Sequence, residues 1–522
     1  MCGAPEVAGR EATDEATDGA TDEATESGTA EPGPAPSAGT RPPVWLIVLV
    51  VVVGVGIRAW ILASPLGEVD SDEAVVGLMA LGVLDGEIRT FFWDSNYGGT
   101  LDQLITAGVF AVVGASVLAL KAVQVVLAGA ACVLTWRVGR RIVGEGAART
   151  AALLFWVAPA AYLLFSTKSR GWHWLGVCLT LGIVLMVLRL IERPRVGGAA
   201  VLGLLLGLSF WTSPALGFVA LPAVVYGVAR NPRVMRVGWA VVPAFLVGAA
   251  PWIRFNLVND FASLEQPPQP VDSTYLSRLA GFFTDGLPMA LGLKVPYSGE
   301  WLGGPVGVAV FVAALIGFGV LLVRCRRRLG LLLVLAGAYP LLFAVPASSF
   351  YVGEPRYVLF LAPVLALLVT HRLTTTAARG AVLAGAAVLS VISLASLMSW
   401  SAGHPGNYDL ASGDLDPVLS ILERRGVNAA WGDYWTAYRI TFETNEEVIA
   451  ASVDRVRHPP YQAEVAQRSA PAFVVHEGTS VDDELGPALA ADGIDFQRVP
   501  AGDFVVYLPD EAVDPVELEG VW

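Results

Sequence analysis

Runs of about 20 apolar residues recur along this chain, the first being "VWLIVLVVVVGVGIRAWILA" at residues 44–63. A run of that length is what an α-helix needs to cross a hydrocarbon core, and few other folds can use it. Repetition of such runs describes a polytopic α-helical membrane protein. With 54% hydrophobic residues, 16% charged residues and a mean hydropathy of +0.58, soluble globular classes are excluded. The net charge of −13 says little about partners. Much of the acid lies before residue 43 and after residue 400, while the apolar core is Arg-rich.

Loop charge gives an orientation, because Lys and Arg in short loops mark the cytoplasmic side and acids hardly count. The basic loops are "RVGRR" (137–141), "ERPR" (192–195), "RNPRVMR" (230–236), "RCRRR" (324–328) and "HRLTTTAARG" (371–380). All five face inward with spans near 44–63, 118–136, 148–166, 174–191, 197–212, 214–229, 237–253, 302–323, 329–346, 356–371 and 380–400. This predicts about 11 transmembrane helices, the N-terminus inside and the C-terminus outside. "LDQLITAGVFAVVG" (101–114) is short of the ~20 residues a spanning helix needs, so it is expected to be re-entrant or interfacial. Polar, non-basic segments then gather outside: a first outer loop at 64–117, the loop 254–300, the turns "STKSRGWHW", "WTSP" and "ASSFYVGEPRY", and everything after 400.

Residues 1–43 repeat Glu-Ala-Thr-Asp units and then turn to Pro, Gly and Ser, so a disordered acidic cytoplasmic tail is expected. The start lacks the basic residues and early apolar stretch of a secretory signal. Residues 44–400 form the membrane domain, and residues 401–522 change character. "PVLSILERRGV" reads as a helix, "NAAWGDYWTAYRITFETNEEVIAAS" as strand, helix and strand, "APAFVVHEG" as a strand, and "DDELGPALAADG" as a helix. "DFQRVP" and "DFVVYLP" close the chain as paired strands. This predicts an extracytoplasmic α/β domain without a G-x-G-x-x-G or Walker motif, acting as a lid or acceptor-binding module. Cys2, Cys132, Cys178 and Cys325 suggest neither a disulfide nor thiol chemistry.

The first outer loop opens with "EVDSDEAVVGLMALGVLDGE" (68–87), six acids on a stretch that becomes an amphipathic helix. Asp70, Ser71, Asp72 and Glu73 suit a helix N-terminus, where carboxylates satisfy free N–H groups and the dipole. Asp70-Ser71-Asp72 is also D-x-D, the metal-binding signature of nucleotide-sugar transferases, but a nucleotide donor would be cytosolic. A further reading is catalytic.

The pattern "SDEAVVGLMALGVLDGEIRTFFWDSNYGGTLDQLITAGVF", with "RGWHWLG", "FWTSPALGFVALP", "GAAPWIRFNLVNDF" and "EPRYVLFLAPVLALL", resembles the GT-C superfamily of membrane glycosyltransferases. Within it the chain resembles the protein O-mannosyltransferases and the lipid A aminoarabinose transferases. "GDYWTAYRITFETNEEVIAAS" followed by "RHPPY" resembles a segment of bacterial proteins of this type. The resemblance covers nearly everything after residue 43. It implies a sugar donor on a polyprenyl-phosphate carrier, an outer-face site, and Asp72 of the Asp-Glu pair as catalytic acid. Where the relatives carry Lys-Pro after an aromatic turn, this chain has "YGGTLDQ", with Gly99 and Thr100 in that place. Another cation must then hold the phosphate.

Such a reaction needs a base for the acceptor hydroxyl and cations for the departing phosphate. Asp72 is the expected general base, with Glu73 beside it and Asp102 as an assistant. Attack opposite the phosphate inverts the anomeric centre. Candidate phosphate and substrate ligands are Arg58, Tyr97, Lys168, Arg170, Arg254, Lys294, Arg356 and Tyr357. Arg356 of "GEPRY" ranks first, because Arg can grip phosphate bidentately, against a snorkelling role or a pair with Glu354. Arg58 lies within the first span, where an ionisable residue is functional, internally paired or snorkelling.

The five histidines show no zinc spacing, so no cofactor is expected, although a divalent metal stays open. Trp172, Trp174, Trp211 and Trp252 read as belt residues or sugar platforms. No basic-aromatic array suggests nucleic acid. Expected partners are the donor, the lipid bilayer and a glycan, lipid or protein acceptor. Arg outnumbers Lys 31 to 3 amid abundant Ala, Gly and Val, the usage of a GC-rich bacterium, which favours an envelope acceptor. The alternatives are a transporter or flippase of lipid-linked molecules, which would carry internal repeats, and a non-catalytic envelope assembly protein.

Overall fold

The computed structural model describes residues 41–265, 273–350, 355–404, 406–408, 410–518 and 521–522. The expected acidic tail, 1–43, therefore lies outside the described residues up to position 40. Helix α1 (Val44–Leu62) leads through a short loop to α2 (Ser71–Leu84) and α3 (Leu101–Val113). The bundle continues with α4 (Val117–Ile142), α5 (Glu145–Val157), α6 (Ala160–Phe165), α7 (His173–Glu192), α8 (Val196–Thr212) and α9 (Gly217–Arg230). It is completed by α10 (Val241–Gly248), α11 (Ala250–Val258), α12 (Tyr275–Gly281), α13 (Leu287–Ala290), α14 (Pro305–Arg324), α15 (Gly330–Phe343), α16 (Ala362–Thr370) and α17 (Thr376–Ala402).

Each anticipated span is helical, but several are broken. Pro159 separates α5 from α6, since proline removes a backbone donor and clashes with the preceding turn. Pro232–Gly248 and Ala250–Val258 meet at 59°. Five helices (α1, α4, α7, α14 and α17) are long and apolar enough to cross a membrane, or six if the bent pair is one span. The chain is thus a multi-pass membrane protein. Helix α3, at 13 residues, is among the shorter apolar helices.

The five basic turns share one end of the bundle. Arg141 Nη1 meets both carboxylate oxygens of Glu192 at 2.5 Å, Asn231 Nδ2 donates to the Ile191 carbonyl at 2.8 Å, and Thr370 Oγ1 donates to Ala147 at 3.2 Å. The first turn of α15 abuts Tyr226 near the end of α9. Helix α4 fits this arrangement electrostatically: Ser116 caps its start, and Arg140 and Arg141 sit at its negative end. Helices α8 and α10 approach at backbone distance, because a Cβ at Gly203 or Gly207 would fall 2.2 Å from the carbonyl oxygen of Val241 or Phe245.

At the opposite end lies an α/β unit. It comprises α18 (Asp416–Arg425), β1 (Ala429–Gly432), α19 (Tyr434–Glu443), β2 (Ile449–Ser452), α20 (Pro459–Val465), β3 (Ala472–His476), α21 (Ser480–Ala491), β4 (Phe496–Ala501) and β5 (Phe504–Pro509). The strand order is β2-β1-β3-β5-β4. β1 runs parallel to β2 and β3, and β5 pairs antiparallel with β3 and β4. All the strands and helices read from the sequence are present, and α20 is an addition. One sheet face packs Phe504 and Val506 with Val418 and Leu422 of α18. The other shares a core with α2: Phe473, Val505 and Tyr507 join a cluster that includes Val75, Leu78, Met79 and Phe442.

That core changes the character of α2. The sequence reads it as amphipathic, yet Glu73 to Ala80 are all buried. The side that would face water is covered by α19. Contact is closest at Gly77, where a Cβ would lie 2.3 Å from the Phe442 ring. Gly77→Ala is expected to destabilise the protein, because overpacking costs about 1–3 kcal/mol against the roughly 1 kcal/mol that Ala gains in helix propensity. Thermal unfolding in detergent, with limited proteolysis of the 403–415 segment, checks this. Unchanged melting and cleavage would show that the contact is slack.

Candidate active site

The start of α2 resolves which acid does what. Asp70 is the N-cap: its backbone is extended, its Oδ1 accepts from the Glu73 amide at 3.0 Å, and Glu73 Oε2 accepts from the Asp70 amide at 3.4 Å. This is a capping box, so the helix-capping role falls on Asp70 and Glu73. Asp72, two positions on, is not needed for it.

Asp70 and Glu73 are fully buried and held by three cations. Arg170 donates to Asp70 Oδ2 through Nε at 3.1 Å and Nη2 at 2.7 Å, and Lys168 Nζ lies 3.5 Å from the same oxygen. Lys121 Nζ lies 2.9 Å from both Glu73 oxygens, Lys168 lies 3.4 Å from Oε2, and the Ser169 amide donates to Oε1 at 2.6 Å. Burial opposes the charge of Asp70, but Arg170 and Lys168 outweigh it and hold the carboxyl below its usual range. Lys121, Lys168 and Arg170 thus gather around Asp70 and Glu73 at the start of α2. The Glu73 carboxylate ties the start of α2 to Lys121, Lys168 and the Ser169 amide.

Asp102 stands apart from these cations. It is fully buried on α3, and Gln124 Nε2 donates to it at 3.1 and 3.4 Å. Burial pushes its carboxyl up to about 7, with only the Gln124 hydrogen bond acting the other way. Gln124 also reaches Ser169 Oγ at 3.4 Å, which links Asp102 to the Glu73 cluster.

Asp72 opens toward the α/β unit. Its side chain is 28% exposed, the Tyr434 hydroxyl donates to its Oδ1, and Arg457 Nη2 lies 3.7 Å away. Arg457 also donates to the Tyr434 oxygen at 3.0 Å and to the Trp93 carbonyl at 3.3 Å, and it lies over the Phe92 ring at 4.9 Å. His458 stacks on Trp93 at 4.0 Å. The "RHPPY" segment thus clamps the aromatic turn of the first loop. Tyr97, at the tip of that turn, is 59% exposed.

The same turn accounts for Gly99. Its amide donates to the Thr212 carbonyl at 3.0 Å, and a Cβ there would fall 2.5 Å from the Trp211 carbonyl oxygen. No lysine fits at that position, and cations arrive from other elements instead.

Arg170, Arg356 and Tyr357 are brought into one neighbourhood. His173 Nδ1 donates to the Arg170 carbonyl at 2.9 Å, its ring meets Tyr357 edge-on at 5.7 Å, and Arg356 lies over the Tyr357 ring at 5.2 Å. Arg170 Nη1 also donates to the Tyr297 hydroxyl at 3.4 Å. Glu354, the alternative partner of Arg356, lies outside the described residues.

Three other candidates are placed elsewhere. Arg58 is buried, with Nε donating to Ser166 Oγ at 2.7 Å and Nη1 to the Gly54 and Trp156 carbonyls at 2.9 and 3.1 Å. It packs 3.8 Å over the Trp156 ring and ties α1 to α5 and α6. Arg254 lines a shallow apolar groove on α10 and α11. Lys294 pairs with Asp285 at 2.7 Å beside Trp301. Among the described residues, no group of three or more His, Cys, Asp or Glu could hold a metal ion.

Sequence reasoning missed Lys121, Gln124, Tyr434 and Arg457. Lys121 had a signal, a lone charge inside an apolar run. Tyr434 is 362 residues from Asp72, and no spacing rule reaches that far.

No protein-family model and no curated protein matches the chain. Solved structures do. ArnT from Cupriavidus metallidurans in the apo state superposes with a TM-score of 0.62 at 13% identity, covering 91% of this chain and 99% of that one. The same protein bound to undecaprenyl phosphate gives 0.59 at 14% identity, covering 90% and 98%. The chain shares the fold of these structures. At this identity the likeness extends to the fold alone.

Proposed function

We propose that this protein is an inverting membrane glycosyltransferase that moves a sugar from a polyprenyl-phosphate carrier to an envelope acceptor on the outer face. One observation carries the reading: Asp72 is a partly open carboxylate already engaged by a hydroxyl, and it stands beside the cluster in which Lys121, Lys168 and Arg170 meet Asp70 and Glu73. An acceptor hydroxyl that took the place of the Tyr434 hydroxyl would donate to the same carboxylate. Asp72 takes that proton as the sugar's anomeric carbon is attacked. Lys168, Arg170 and Arg356 stabilise the phosphate as the carbon–oxygen bond to it breaks. The fold shared with a protein captured with undecaprenyl phosphate supports a lipid-linked donor. Glu73 and Asp70 brace the loop, and Asp102 assists through Gln124 and Ser169.

In this reading the basic end of the bundle faces the cytoplasm, with eleven spans and the α/β domain outside. A reporter fused after residue 405 is expected to be active only on the outer side, and one at residue 327 only inside. Opposite results at both positions would overturn the topology.

Donor use is tested by binding. Polyprenyl phosphate should raise the melting temperature of the purified protein in a concentration-dependent way, and the corresponding polyprenol, lacking the phosphate, should not. Equal effects from the two lipids would remove the phosphate from the proposal.

A further inference from the structure

A cavity of about 650 Å³ lies between the α/β unit and the end of the helical bundle, away from the contact of Asp72 with Tyr434. Its walls come from the α1–α2 loop (Leu66, Glu68), the last turn of α17 (Ser401, Ala402), the following segment (Asn407, Tyr408) and the sheet (His476 to Thr479, Asp503). Its size falls within the range of small-molecule sites.

Its place in the sheet is the place where open α/β sheets bind ligands. β1 and β3 are adjacent and parallel, yet β1 connects through α19 to β2 on one side, and β3 connects through α21 to β4 beyond β5 on the other. The crevice at their carboxyl ends is a topological switch point. Asp433 and His476 stand there, with His476 Nε2 3.8 Å from Asp433 Oδ2 and 3.4 Å from Thr436 Oγ1. Asp433 Oδ1 is buried without a hydrogen-bond partner among the described residues. Burial pushes Asp433 up to about 6 and His476 down to about 4, so His476 is neutral at pH 7.

The lining selects against anions. Among the described residues it carries three carboxylates (Glu68, Glu477 and Asp503) and neither Lys nor Arg. The nearby Arg439 is turned to the Ser412 and Gly413 carbonyls at 2.7 and 2.9 Å. The start of α21 is closed by its own side chains, since Thr479 caps the Asp482 amide and Asp482 accepts from the Gly478 amide at 3.0 Å. Among the described lining residues a nucleotide or phosphate therefore finds no Lys or Arg side chain and no free helix N-terminus. What remains are acceptors for hydroxyls, the amide of Asn407, and the ring of Tyr408 stacked on His476 at 3.8 Å. Carboxylates, an amide and aromatic faces are the groups that hold sugars.

We infer that this cavity binds a neutral, hydroxyl-rich oligosaccharide and is the acceptor subsite of the transferase. The identification as acceptor rests on the function proposed above, whereas the binding itself does not. The site adjoins the reaction loop: Glu68, in its wall, accepts through its carbonyl from Lys168 at 2.8 Å, and Asp433 directly precedes Tyr434.

The test is binding of neutral mannan, arabinan, galactan and glucan fragments to the purified full-length protein, followed by calorimetry and saturation-transfer NMR. Wild type should bind at least one fragment in preference to its phosphorylated counterpart. Asn407→Ala combined with Asp503→Ala should weaken binding about tenfold or more, the loss of one or two well-made hydrogen bonds. Ala402→Trp, which fills the cavity from the exposed end of α17, should abolish it. Binding of none of the fragments, preference for the phosphorylated forms, or binding unchanged in Ala402→Trp would each overturn the inference. Glycan binding without sugar transfer would overturn the acceptor role and the proposed function while leaving the site in place.

Discussion

Asp72→Asn is expected to lower sugar transfer by ~10²- to 10⁴-fold, the usual loss when a positioned general base is removed, with folding and donor binding close to wild type. The structure makes this a clean substitution. Helix capping belongs to Asp70 and Glu73, so an altered Asp72 leaves the start of α2 intact. Asparagine keeps the size of the side chain and can still accept from the Tyr434 hydroxyl. A capping role for Asp72 predicts the reverse, near-normal turnover with a weakened helix. Steady-state transfer rates with melting curves of the same preparation separate the two.

Glu73→Gln is expected to show the opposite balance, a smaller effect on turnover than Asp72→Asn and a larger one on stability. Glu73 is fully buried and pairs with Lys121, itself 1% exposed. Removing one member of a buried pair leaves an uncompensated charge and costs about 3–5 kcal/mol. Lys121 would keep the Glu68 and Thr167 carbonyls, at 3.4 and 3.2 Å, and the neutral amide oxygen of the glutamine, but no paired negative charge at that position. Lys121→Met should cost a comparable amount. The double variant should be less destabilised than the sum of the two, because replacing both members of a buried pair by groups of similar shape is often nearly neutral. Thermal unfolding in detergent of the two single variants and the double variant reads this directly. Strictly additive losses would mean that the pair is not coupled.

The helices were legible because apolar run length is a strong signal that survives without tertiary knowledge, as in α1, α4, α7, α14 and α17. Where the reading fell short, the missing information lay far away in sequence. Pattern marks α2 as amphipathic, but its outward face is covered by residues after 430. The acids at 70–73 were recognisable as a helix start, yet the residue that caps depends on the extended backbone of Asp70, and composition cannot distinguish Asp70 from Asp72. Arg58 could be read as functional, snorkelling or paired; its partners are Ser166 and Trp156, about a hundred residues on. The α/β strands were visible from their own apolar and turn residues, while the switch point between β1 and β3 emerges only from strand order.

The most direct measurement is release of polyprenyl phosphate by the purified full-length protein from a panel of polyprenyl-phosphate sugars, with Asp72→Asn run alongside. Wild type is expected to release polyprenyl phosphate from at least one donor, and Asp72→Asn to bind the same donor but release polyprenyl phosphate at least ~10²-fold more slowly. No release by a wild-type preparation shown to bind the donors, or equal release by the two proteins, would contradict this expectation.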